Sequence, residues 1–548
     1  MKVNNSLWQK ITKNKRPEYF FFILFILLLL FTYYFHTPWF DEVQSWLIAK
    51  QASLKDILFL IPHYEGHPPF FHLLLAGPAK LGLPWQIGLQ GFISLFTIIS
   101  AWLIIFKAPF SRAVRLSLPF SYFLFYQYGV ICRPYNIMML IILLLAVAFP
   151  KKDEKPYLFT ALLAALCACH IYGIAIACGI TLAWLWEMKK DLSFTSYLRN
   201  LLRDKRFHSM LCLLVWALLL CYLAMPKTDT YALSNHSKIQ GSFIQQILYL
   251  IFIMPSDAVL TSIYDTPNPL SFLTFSPMEI LSGILTGSII WFICLKITDK
   301  KFWPYLFMPY IMFIIPMAFY CSRHHIGIVL LIFIFALWVS WQKNPKKIDP
   351  FAKFIIFISL FVSINWSLAN IYFNTLPNPY TMENFANFLK QTNFENKKIL
   401  AAWKFMTAKD FSWIKNLPDD FYLEDTNHMF LATQISLYNG HNIFTNLNNG
   451  ENFTYMTHIT PSDEINAANL SLWHKYGLPE ITVGTIFLER IFPEQDYSNQ
   501  YILTGIIRIK DIWKFDQPLY NDFPIYIHKD LLNSYNAEHK NKILPFKE

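Results

Sequence analysis

Charge is what this chain has least of. Only 15% of its 548 residues are Asp, Glu, Lys or Arg, where a soluble domain carries about 25%. With 55% hydrophobic residues, 18% aromatic residues and a mean hydropathy of +0.33, the deficit argues against a soluble enzyme and predicts a polytopic membrane protein. Acids are scarcest inside the long apolar runs, and Glu187 and Glu279 fall at run ends. A proton-coupled transporter places ionisable groups at mid-membrane depth, so this scarcity disfavours that class. The eight cysteines end at Cys321 and contain no CxxC pair. That argues against a thiolate zinc site and leaves the C-terminal region to fold without disulfides. The net charge of +10 does not indicate nucleic acid, because the basic residues stand in short loops between apolar runs, where a topology signal belongs.

What is present reads as a series of spans. Lys2, Lys10, Lys13, Lys15 and Arg16 precede the first apolar run at 18–35, and no small-residue cleavage site follows. The expectation is an uncleaved first helix with a cytoplasmic N-terminus. Residues 36–84 form a first outer loop. Within it, Val43, Trp46, Leu47, Leu54, Ile57 and Leu58 recur at helical spacing, and Ser53 with Asp56 resembles a capping box. Two amphipathic helices on the outer membrane surface are expected there. The short run 69–83 reads as peripheral or re-entrant, because a crossing would put Lys107, Arg112 and Arg115 outside. Spans are then expected at 85–106, 114–131, 134–150, 157–172, 173–188, 209–225, 278–297, 304–320, 325–341 and 354–373, about eleven in all. Residues 226–277 form a larger, proline-bearing outer loop.

The chain divides into 1–373, the transmembrane part, and 374–548, a small α/β domain outside the membrane. Pro377 and Pro379 mark the linker. Short β-branched and aromatic runs predict strands at 398–403, 481–487, 501–509 and 524–528. Helices are expected at 382–389 and 463–476.

On this topology the unusual polar residues gather at one face: Asp41, Glu42, His63, Glu65, His67, Arg133, His170, Arg323, His324 and His325. Asp41 is a candidate general base and equally a cap for a helix starting at Val43. Glu42 is the weaker base, since a first helical turn favours an acid anyway. His67, in Gly66-His67-Pro68-Pro69, sits where the chain bends into a helix. Arg133 has the fork to hold a phosphate, or snorkels to headgroups. Tyr135 helps position that site or belongs to the aromatic belt. Arg323, His324 and His325 crowd one short loop, a candidate anion site or a lipid-headgroup contact. His170 reads as a helix-end residue.

These residues resemble the GT-C glycosyltransferases, in particular the polyprenyl-phosphate-sugar-dependent branch. That branch holds the protein O-mannosyltransferases, the aminoarabinose transferase of lipid A and the lipopolysaccharide-core transferases. The matching residues are Asp41-Glu42 after the first span, His67-Pro68-Pro69 with the apolar run 70–75, Arg133-Pro134-Tyr135 after the third span, and the Arg323-His324 loop before an outer C-terminal domain. The resemblance covers residues 18–373. It implies a membrane glycosyltransferase with Asp41 as base in an inverting transfer, assisted by Glu42. His67 matches the family's outer-loop histidine, and Glu65 lies beside it. Arg133 and Arg323, with Tyr135 and His324 beside them, would meet the donor's phosphate. The donor would be a sugar on undecaprenyl phosphate or a related lipid, and the acceptor a glycan, lipid or protein. Many relatives carry an acid two positions before the arginine, where this chain has Ile131. A metal held between two acids is therefore not expected, nor is any other cofactor, and transfer should be metal-independent. The expected location is the bacterial plasma membrane. The competing class is a transporter or flippase of a lipid-linked glycan.

Overall fold

The computed structural model describes residues 15–189, 203–228, 230, 241–260, 276–342, 348–401, 404–407, 422–425, 427–444, 455, 478–484, 500–514 and 518–539. The chain forms two compact units. The first is Met1–Thr37, Ala52–Thr375 and Trp513–Asp516; the second is Pro38–Gln51, Leu376–Ile512 and Gln517–Glu548. The main division falls at Thr375, but a piece of the first loop and a piece of the C-terminal region each belong to the opposite unit.

The first unit is helical. Among the described residues, 9 helices are long and apolar enough to cross a membrane: Arg16–Phe35, Gln86–Lys107, Pro134–Lys151, Ile171–Lys189, Lys205–Leu223, Pro277–Ile297, Lys300–Phe319, Arg323–Trp341 and Pro350–Thr375. The chain is a multi-pass helical membrane protein. The outward faces agree with this. On Arg16–Phe35, Phe20, Leu27 and Phe31 are exposed while Phe25 and Leu29 are buried. An open apolar face along a whole helix is a surface for lipid.

Three expected features take a different form. The apolar stretch at 114–131 is not one span. Arg112–Ser117 is α-helical, Leu118–Phe120 is a 3-10 turn, Ser121 is extended, and Phe123–Val130 is π-helical. Pro119 has no backbone N–H to give the preceding turn, and past the break at Ser121 the Tyr122 N–H donates to Ser363 Oγ at 2.9 Å. Every residue from Phe123 to Val130 is buried, so this run is apolar because it faces protein. The Pro156–Cys169 helix has only 14 residues and stops at the extended His170. Finally, the expected loop at 226–277 contains the apolar helical stretch Phe243–Val259. It packs so closely on the Pro277–Ile297 helix that a Cβ on Gly287 would collide with the Phe252 carbonyl oxygen. The run at 69–83 is the helix Phe70–Lys80 of 11 residues, which spans about 16 Å, roughly half a hydrocarbon core.

At one end of these helices the basic connectors meet acids. Arg112 and Arg115 pair with the buried Glu18 at 2.5 and 3.4 Å. Lys152 lies 2.8 Å from Asp153 and 3.1 Å from Glu187, and Arg206 reaches Asp153 at 3.2 Å. Phe110 packs edge-on against Trp338 and Trp341, which places the 107–112 connector at the same end.

The second unit holds a sheet of four strands in the order β1-β4-β6-β5. They are β1 Ile399–Ala401, β4 Ile481–Val483, β5 Tyr501–Asp511 and β6 Leu519–His528. β1 runs parallel to β4, and the other pairs are antiparallel. A separate antiparallel pair joins β2 Lys404–Thr407 to β3 Tyr422–Asp425. The Met382–Thr392 helix, capped by Thr381 and ended by a left-handed Asn393, buries Met382, Phe385 and Leu389. They join Ile399, Ile481 and Ile527 in one core. The expected strands and the helix at 382–389 are all represented; the expected helix at 463–476 lies outside the described residues. The helices Asn427–Asn439 and Lys529–Glu538 were not expected. The Phe40–Gln51 helix belongs to this unit and packs on Asn427–Asn439.

Candidate functional site

In the second unit, the Phe40–Gln51 helix starts earlier than Val43, so Asp41 and Glu42 both lie in its first turn. The residue that reaches back to close the helix start is Glu42, whose Oε2 accepts from the Trp39 N–H at 2.8 Å. That is the acid's half of a capping box, and Glu42 is fully buried in it. The helix-cap reading therefore belongs to Glu42 rather than Asp41. Asp41 is half-buried. The expected cap at Ser53 is present: its side chain accepts from the Asp56 N–H.

The first unit brings together residues from four distant segments. Gly66, at φ 66°, ends the short helix Ile61–Glu65 and turns the chain. His67 follows and its ring packs on the His170 ring, 4.1 Å between centroids. Its Nδ1 is enclosed without a hydrogen-bond partner among the described residues. Burial lowers the His67 pKa to about 4; Glu65 opposes the shift, and Arg133 and His72 reinforce it. His67 is thus a neutral imidazole at neutral pH, while the ordinary value is near 6.5.

Arg133 is extended and immediately precedes the Pro134–Ala148 helix. Its backbone N–H donates to Asn136 Oδ1 at 2.9 Å, and Asn136 Nδ2 in turn donates to the Gly129 carbonyl and to Thr97 Oγ1, each at 3.2 Å. That network fixes the helix start. The guanidinium lies over the Tyr135 ring at 5.4 Å, and Nη1 donates to His324 Nε2 at 2.9 Å. Because arginine only donates, His324 accepts at Nε2 and carries its proton on Nδ1, which meets Ser322 Oγ at 3.0 Å. The Tyr128 hydroxyl holds the His324 carbonyl at 2.8 Å.

The same reasoning sets the neighbouring rings. His170 Nδ1 accepts from the Tyr172 N–H at 3.2 Å, so Nε2 carries the proton and donates to Tyr135 Oη at 3.1 Å. His325 Nδ1 accepts from the Ser322 N–H at 3.0 Å and lies 3.2 Å from the Tyr172 hydroxyl, which donates to the Tyr320 carbonyl. Its Nε2 carries the proton and is buried without a partner among the described residues. Arg323, at the start of the same 3-10 turn, lays its guanidinium over the Trp513 ring at 5.0 Å.

The structure therefore joins Arg133, Tyr135 and His324 directly and His67 through the His170 ring, with Arg323 in the adjoining turn and Glu65 felt electrostatically by His67. Asp41 and Glu42 lie in the other unit. His170, Tyr172 and His325 are central members of the cluster. His170 is a helix-end residue as expected, the C-cap of Pro156–Cys169, and joins the cluster as well; nothing in the sequence marks Tyr172. His63 is engaged elsewhere, its Nδ1 2.7 Å from the Met225 carbonyl. Two guanidinium groups with neutral imidazole and phenol donors form an array suited to an anion with several oxygens. Among the described residues, no group of three or more His, Cys, Asp or Glu is arranged to hold a metal ion. No family model matches the chain, and no curated protein or solved structure matches it.

Proposed function

We propose that this chain is a membrane glycosyltransferase that moves a sugar from a polyprenyl-phosphate donor to an acceptor on the outer face of the membrane. In this reading the acceptor's hydroxyl or amine attacks the sugar C1, and Asp41 takes its proton. The bond from C1 to the phosphate oxygen breaks, and the configuration at C1 inverts. The polyprenyl phosphate leaves with its developing charge met by Arg133 and Arg323. His324, Tyr135 and His67 orient that end, and Glu42 holds the helix start that carries Asp41. The observation that carries the reading is the meeting of Arg133, His324 and the Arg323 turn, drawn from distant segments of a multi-pass helical unit. Cations gathered beside apolar helices match a donor that is a phosphate on a lipid.

The test is transfer of radiolabelled sugar from membrane lipid extract by the purified chain, wild type beside Asp41→Asn, with and without a chelator. Wild type should turn over in chelator, and Asp41→Asn should bind donor without turnover. Equal turnover by both proteins overturns the assignment of Asp41. Absence of turnover in wild type, with lipid-linked glycan moved across vesicles, favours the transporter or flippase reading. Loss in chelator with rescue by a divalent ion overturns metal independence.

A further inference from the structure

Among the described residues of the first unit, Lys514 and Asp257 form a fully buried ion pair, and Lys514 comes from the connection between β5 and β6. Connections of that kind ordinarily run over a surface and carry polar, solvated residues. Here Ile512, Trp513 and Lys514 are all buried, Lys514 completely. Its backbone takes the left-handed conformation, φ 47°, which a residue with a Cβ adopts only where its surroundings hold it.

Those surroundings come from several segments. The Lys514 ammonium pairs with the Asp257 carboxylate and donates to the Asp257 carbonyl at 2.8 Å. It also lies 4.3 Å from the centre of the Trp366 ring and 5.8 Å from that of Phe123, an aromatic enclosure for a cation. The Lys514 carbonyl accepts from Asn370, and its N–H meets the Tyr122 hydroxyl at 3.4 Å. A buried pair of this kind contributes little net stability compared with apolar residues of the same size. Its effect is to fix one arrangement. What it fixes is Trp513, whose ring is packed edge-on by Tyr122 at 5.5 Å and carries the Arg323 guanidinium. Arg323 opens the Arg323–His325 turn that presents His324 to Arg133.

We propose that Lys514, pinned by Asp257, and Trp513 are positioning residues that set the Arg323 side chain and the turn behind it. The consequence for donor binding rests on the reading of Arg323 as a phosphate-binding group. The placement of Arg323 does not.

Two measurements on the purified full-length chain in lipid nanodiscs separate these. The first is modification of Arg323 by phenylglyoxal, followed by mass spectrometry. Trp513→Leu and Lys514→Met should both speed it severalfold, and Trp513→Phe should restore the slow rate. Thermal unfolding of Trp513→Leu should move down moderately, as for any large-to-small core change, and stay cooperative. If Trp513→Leu and Lys514→Met both leave the rate unchanged, the positioning role is overturned. If the rate changes only in variants whose Tm also collapses, the role is merely structural and the proposal fails. The second measurement is binding of farnesyl phosphate. Trp513→Leu and Arg323→Gln should each weaken it about 30-fold, the size of one desolvated cation–π contact. Combining the two should weaken it no further, because they act as one unit. Fully additive effects overturn the coupling. If wild type binds no farnesyl phosphate while phenylglyoxal modification still speeds up in Trp513→Leu, the positioning stands and the phosphate reading of Arg323 falls.

Discussion

The two ends of the helical unit treat their cations differently. At one end Lys152, Arg206, Arg112 and Arg115 each lie within 4 Å of a carboxylate, from Asp153, Glu187 or Glu18. At the other, Arg133 rests on the His324 imidazole and the Tyr135 ring, and Arg323 on the Trp513 ring. A cation beside a carboxylate has its charge answered within the protein. Around Arg133 the contacts are to aromatic rings, and the guanidinium's field contributes to the lowered pKa of His67. In the proposed reading the first end serves cohesion and the second meets the phosphate of the donor.

The sharpest way to break this contrast is to remove one cation from each end. Arg133→Ala should lower transfer about 100–1000-fold, the cost of losing one donor to developing negative charge, with a stability cost of about 1 kcal/mol from the His324 Nε2 left without this donor. Arg133→Lys should recover only part of it, because an ammonium has no fork. Lys152→Met should do the reverse. Its carboxylate partners are about half-exposed and rehydrate, so it should destabilise by about 2 kcal/mol, less than a fully buried pair, while turnover per folded molecule stays at the wild-type level. Equal loss of turnover in both variants would end the distinction.

A smaller effect sharpens the same contrast through pH. The His67 pKa falls from its ordinary 6.5 to about 4 on folding, so the native state favours the neutral ring. Between these values the unfolded chain binds the extra proton, and stability falls as the pH drops from about 6.5 to about 4. Above that window His67 contributes no slope. The full shift corresponds to about 3 kcal/mol; with the ring half-buried, a loss of about 1–2 kcal/mol is expected. His67→Phe should flatten the dependence of Tm between about pH 7.5 and about pH 4.5. An unchanged slope in the variant would assign the acid sensitivity to other groups.

How much of this was legible in the sequence follows from what each residue responds to. Charge-poor runs and basic connectors respond to the membrane alone, so most helices were readable, and the Ser53 cap and the strand runs followed from local preference. The break at Ser121 was not, because an apolar run looks the same whether it faces lipid or protein; residues 123–130 face protein. Phe243–Val259 was hidden by the prolines around it. Arg133, His67 and His324 stood out as polar residues beside apolar runs, but their mutual contact is a tertiary fact. Tyr172 and Lys514 carried no local signal at all: a tyrosine in an apolar helix and a lysine in a connection are ordinary until their neighbours are known.

The smallest effect belongs to an ion pair outside the helical unit. On β5, Arg508 stands directly opposite Asp522 on β6, and its Nε and Nη2 each donate to a carboxylate oxygen at 2.7 Å. The hydrogen bonds from Arg508 hold the Asp522 carboxyl below its usual range. The geometry is bidentate and better aligned than any contact of Lys152, yet both side chains are about one-third exposed. Water therefore screens the attraction, and Arg508→Ala should cost less than about 1 kcal/mol. Part of that cost would come from the Tyr380 and Tyr520 rings, over which the guanidinium lies at 5.6 and 5.0 Å. The ionic share should be present above the ordinary carboxylate pKa and vanish as acid protonates Asp522. Asp522→Asn alone should cost less than Arg508→Ala, and the double variant no more than Arg508→Ala, since among the described residues the Asp522 carboxylate bonds to this one arginine. A loss as large as that of Lys152→Met would mean that alignment, rather than burial, decides what an ion pair contributes in this chain.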